Sequence, residues 1–141
     1  MDKKELLKLG LPEDFGIYFE IEDDDKTILD LSKKVHDKLN HFSHILEDIL
    51  NPEHLRSLHE SSMFNEEDKK IVLRLYRHMQ YHSREFNLLE IKKNEDELKE
   101  FIKNSYDGWK KIIPDLKEIT TKLKNSWNTD KKTKLELGYF G

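Results

Sequence analysis

From Leu98 to Leu123, apolar side chains return every three or four residues, and they do so straight through Pro114. Leu98, Ile102, Trp109, Ile112, Leu116, Ile119 and Leu123 form one stripe, with Ser105 and Ser126 filling stripe positions and Tyr106, Ile113 and Trp127 widening it. That rhythm is the signature of a long amphipathic helix. Pro114 falls on the opposite face, where its missing N–H is tolerated by a solvent-side bend, so the spacing predicts one kinked helix rather than two. Such a helix cannot bury its stripe alone. It needs partners of similar length.

Two partners are present. Ile28, Leu31, Val35, Leu39, Phe42, Leu46 and Ile49 trace a second stripe over about residues 26–50, with Asp25 or Thr27 as its cap and Asn51-Pro52 as its end. Val72, Leu75, Met79, His82, Phe86 and Leu89 trace a third. Asn65 caps it, with Glu66, Glu67 and Asp68 at its positive end, and Asn94 before "EDE" marks a break. "PEHLRSLHE" reads as a short connecting helix with Pro52 in its first position, and "DKKELLKLG" as a short helix from Asp2 to a stop at Gly10. In "GIYFEIE", Ile17, Phe19 and Ile21 alternate with polar neighbours, and "TKLELGYF" alternates again, so these two segments are expected to pair as strands.

The expected fold is all-α. It is an elongated antiparallel three- to four-helix bundle, a single domain over residues 1–141, with a small two-stranded ribbon from the chain ends. The absence of alanine leaves the helices to pack through Leu, Ile and Phe. Some stripe edges, including Trp127 and Phe140, are expected to stay exposed, which favours self-association.

Composition removes several chemistries. There is no cysteine, hence no disulfide, thiolate metal site or thiol nucleophile. No apolar run is long enough to cross a bilayer and the start lacks a secretory apolar region, so a cytoplasmic location is expected. There is no glycine-rich phosphate loop, and no cofactor is expected. The net charge of -4 is uneven. Residues 1–30 hold ten acids against four lysines, and residues 99–134 hold ten lysines against five acids. The two ends are expected to neutralise each other within the fold or across a dimer. Lys103, Lys110, Lys117 and Lys124 recur every seven residues, as a solvated flank or as a ridge for nucleic acid or an acidic partner.

The stretch "YRHMQYHSREF" is the one that looks like chemistry. At about 100° per residue, His78 and His82 share an inward face and Arg77 lies about 140° from His82. If the helix over 26–50 runs antiparallel beside it with midpoints aligned, His36 comes level with His82. His36, His78 and His82, with Glu85 one turn on, would then be candidate ligands for a metal ion. There is no H-E-x-x-H and no Glu-x-x-His, so zincin and di-iron carboxylate patterns are absent. His41, His44, His54 and His59 read as outward or connector residues. "RHMQYH" resembles the Arg-x(4–6)-His motif of HEPN-domain ribonucleases. That resemblance covers six residues and implies a metal-independent RNA-cutting site, with Arg77 and His82 acting at a dimer interface. Taken together, the residues point to a non-enzymatic helical protein–protein interaction module, with the ribonuclease and the histidine metal site as alternatives.

Overall fold

The computed structural model describes residues 3–128. They form six helices and, among the described residues, no strand: α1 (Lys3–Lys8), α2 (Phe15–Phe19), α3 (Ile28–Leu50), α4 (Leu55–Ser62), α5 (Glu66–Lys92) and α6 (Glu95–Ser126). The all-α class follows. No helix among them is long and apolar enough to cross a membrane.

The helix starts sit where short polar side chains can satisfy free N–H groups. Thr27 Oγ1 accepts from the Asp30 N–H, while Asp30 accepts from Thr27 and Lys26. Asn65 accepts from the Asp68 N–H, and Asp68 returns the bond to Asn65. Asn94 accepts from the Glu97 N–H. Two of these three are reciprocal capping boxes; each cap is typically worth about 1 kcal/mol. Pro114 lies inside α6 and is exposed, so the final stripe is carried by one helix.

Three expectations need correction. The first concerns residues 17–21. Ile17 and Phe19 belong to helix α2, not to a strand. Phe15 and Phe19, one turn apart, are buried against each other and against Tyr106 and Trp109, whereas Ile17 is 74% exposed. A helix satisfies its own backbone, and this one closes with Glu20 left-handed (φ 54°) and the Ile21 N–H bonded to the Gly16 carbonyl. The other half of the expected ribbon, "TKLELGYF", lies outside the described residues, as do Asp2 and Phe140.

The second concerns Pro52, which precedes α4 rather than opening it. The start of α4 is held by Ser57, whose Oγ accepts from the N–H groups of Glu53 and His54. The third concerns charge. Among the described residues, N-terminal acids pair with α3 as well as with the basic end: Glu22 and Asp25 with Lys34, and Glu20 with Lys38. Asp14 with Lys110, at 4.0 Å, joins the acidic and basic ends.

The described residues divide into two compact units, residues 3–42 with 79–111, and residues 43–78 with 112–128. Each of α3, α5 and α6 contributes to both. In the first unit the core is aromatic. Phe15 and Phe19 of α2 meet Tyr106 and Trp109 of α6, Phe42 meets Trp109, and Phe86 meets Phe101. The Tyr106 hydroxyl donates to Asp14, and burial with that partner raises its pKa. In the second unit, Val72, Leu75, Leu116, Ile119 and Leu123 are buried, and Arg74–Asp115 and Lys122–Asp68 bridge the two long helices.

Candidate functional site

In the first unit the aligned-midpoint register puts the expected neighbours close together. His36 of α3 lies beside Ser83 of α5, one residue beyond His82, with 2.9 Å between Nε2 and Oγ. Its ring stacks on Phe86 at 4.6 Å. His82 is buried, as its place in the stripe requires, with its ring edge-on to Tyr81 and tilted toward Phe101. Its Nδ1 lies 3.8 Å from Glu85 Oε1.

This geometry disfavours the charged forms of His36 and His82. Burial lowers the pKa of His82. It also lowers that of His36, reinforced by Arg84 and opposed by Asp37 and Glu90. Burial raises the pKa of Glu85. All three groups are disfavoured in their charged forms.

Among the described residues no three His or carboxylate side chains are grouped so as to hold an ion. The physical reason is visible at His36: its Nε2 is engaged by Ser83 and its face by Phe86, so the ring is a packing element with one hydrogen bond. Arg77 is exposed and His78 half-buried. Lys103, Lys110, Lys117 and Lys124 are all exposed, and Lys110 lies over the Tyr106 ring at 5.2 Å.

His59, expected as an outward or connector residue, is instead 3% exposed in the second unit. Its Nε2 donates to the Ser126 carbonyl, and its ring lies 4.1 Å from Trp127. Helix α4 is inverted relative to its hydropathy: Ser57, His59 and Ser61 face inward while Leu55 and Leu58 are exposed. Ser61 makes this arrangement work by donating to the Ile49 carbonyl.

The sequence reading also passed over the other side of α5. Relative to Leu88, helical geometry puts Tyr81, Arg84 and Ile91 within about 60°, so the four share one outward strip. Tyr81 is 67% exposed, Leu88 53% and Ile91 80%. The signal was present as the four- and three-residue steps 84–88–91, but the inward stripe is longer and hid it. Beside the strip runs an open groove. Glu85, Leu88, Leu89 and Lys92 form its α5 wall, and Asp96, Glu97, Glu100, Phe101 and Asn104 its α6 wall. Phe86–Phe101 packing and the two-residue connection make this pair an antiparallel hairpin.

Comparison of the chain with known protein families, with curated proteins and with solved structures returned no match.

Proposed function

We propose that this chain is a non-enzymatic helical protein–protein interaction module, an antiparallel bundle that presents the outward strip of α5 to a protein partner. The observation that carries this reading is the strip itself. Tyr81, Leu88 and Ile91 expose large apolar side chains on one face of a helix whose other face is already buried in the core. Single exposed apolar residues need no explanation, but three on one face of a well-packed helix point to an interaction surface.

The buried titratable groups support the same reading from the other side. His82 sits at the edge of the core, its side chain 11% exposed, and burial disfavours its charged form. A ribonuclease site built from Arg77 and His82 of two chains would need that imidazole to reach a phosphodiester, which its burial opposes. The four exposed lysines of α6 lack the arginine forks and interleaved aromatics of a base-reading surface, and a nucleic-acid role for them would show as steeply salt-dependent binding.

The test is selection of a display library of helix-forming peptides on the full chain, read against the double variant Leu88→Asp/Ile91→Asp. Peptides that bind wild type and lose affinity for the variant are expected. Binding that ignores the two substitutions, or no enriched peptide, would overturn the reading.

A further inference from the structure

The groove beside the strip has a chemical character of its own. Its floor is apolar: Leu88, Leu89 and Phe101. Its rim is acidic: Glu85, Asp96, Glu97 and Glu100 stand against a single base, Lys92. Lys92 lies 3.5 Å from Glu97 and answers that carboxylate. Asp96, Glu100 and Glu85, the last with the His82 imidazole 3.8 Å away, remain around a strip of exposed hydrocarbon.

Helix stability explains only part of this rim. Acids in the first turn of α6 complement the helix dipole, which covers Asp96 and Glu97. Glu100 is beyond the first turn, and Glu85 sits in the middle of α5, where the dipole favours neither sign. Glu85 is moreover partly desolvated, which raises its pKa and makes its negative charge costly in the free protein. A cation delivered to the groove would offset that cost.

Resting on the interaction-module reading, we propose that the α5–α6 groove receives a basic amphipathic helix from a protein partner, its Leu, Ile or Phe side chains seated on Leu88, Leu89 and Phe101 and its Lys or Arg groups paired with Glu85, Asp96 and Glu100. The mode is helix-in-groove recognition, in which apolar anchors one turn apart supply affinity and flanking charges supply register. A second copy of the chain fits less well. Helix α6 carries the lysine ridge, but its seven lysines are matched by seven acids, and its own stripe residues Leu98, Ile102, Leu116, Ile119 and Leu123 are already buried.

The experiment uses the same display library and the full chain, now read against Asp96→Lys/Glu100→Lys and against Leu88→Asp alone. All three positions are on the surface, and circular dichroism confirms that each variant is folded. The expected peptides carry net positive charge with apolar residues at three- and four-residue spacing. They lose about tenfold or more in affinity for either variant, as central contacts of an interface do. Exchanging their lysines for glutamate restores binding to the charge-reversed chain. Selected peptides that are neutral or acidic, or that bind the charge-reversed chain as well as wild type while still failing on Leu88→Asp, would overturn the basic-partner inference and leave the interaction module standing. Binding indifferent to both Leu88 and the acids would remove both. Concentration-dependent sedimentation of the chain itself, abolished by Leu88→Asp, would assign the groove to a second copy and overturn the inference as stated.

Discussion

The Nε2 of His59 donates to the carbonyl of Ser126 at 2.7 Å, across 67 residues of sequence. The bond ties the short helix α4 to the last turn of α6, where carbonyls have no partner within the helix. Trp127 packs on the same imidazole, and its indole N–H donates to Glu60. His59→Ala is therefore expected to cost about 2 kcal/mol, through a lost buried hydrogen bond and lost packing. Urea unfolding checks this: the midpoint should fall with little change in slope. Emission from Trp127 should shift to the red as its environment opens, and an unchanged midpoint would sink the account.

Neighbours on α5 should behave oppositely. Leu89 is 6% exposed and Leu88 53%. Leu89→Ala should cost about 2–5 kcal/mol, the usual range for a truncated core leucine. Leu88→Asp should stay within about 0.5 kcal/mol of wild type, as surface substitutions do. Equal losses at the two positions would mean that the strip is packed.

Acid should weaken the first unit through its histidines. His36 and His82 have folded pKa values below the ordinary 6.5 because burial disfavours the imidazolium. Below 6.5 the unfolded chain binds these protons first, so stability is full above that pH and falls as the pH drops from there toward the folded values. Glu85 acts with the opposite sign. Its raised pKa favours the folded state as the pH falls toward 4.5, which offsets part of the loss at the acid end. Comparing wild type with His36→Gln/His82→Gln by denaturation at about pH 7.5 and about pH 5.5 isolates the effect, since imidazoles titrate in that interval. The variant should show the shallower pH dependence.

The caps should be separable from the core. Asn65→Ala removes the acceptor for the Asp68 N–H and should cost about 1 kcal/mol. Asp68 itself is held below the ordinary carboxylate range, first by the Lys122 ammonium and then by the Asn65 N–H. Its contribution is present above its unfolded pKa and is lost as the pH falls through the folded value; the Asn65 N–H that it accepts from is backbone and survives in the variant, so the Asn65→Ala deficit should change little with pH.

Much of this architecture could be read from residue spacing. Thr27 (one of two candidates, with Asp25), Asn65 and Asn94 mark three helix starts, and most buried residues of α5 and α6 are those of the expected stripes, with Ser83 and Phe101 added and Ile112 only half-buried. Such signals are long and redundant, and a single exception does not erase them. The misreadings fall on short segments. Over five residues, Phe15, Ile17 and Phe19 satisfy a two-residue and a four-residue period equally well. Only packing against Tyr106 and Trp109 chooses between them. In α4 the local pattern points the wrong way. Its leucines face out because Ser61 and His59 have backbone carbonyls to meet inside, at Ile49 and Ser126, and those partners are remote in sequence. At the histidine layer the register of His36 was legible, but the engagement of its ring by Ser83 and Phe86 was not.

The turn between α5 and α6 has a bearing on affinity. It consists of Lys93 and Asn94 alone, with Lys93 in the left-handed region (φ 58°) and its N–H bonded back to the Leu89 carbonyl at 2.7 Å. A non-glycine residue there stores a small steric cost, and the connection has no slack. The two walls of the groove cannot part without unwinding a helix end. A ligand would therefore meet a slot already at its final width, and the entropy of shaping the receptor would be spent at folding rather than at association.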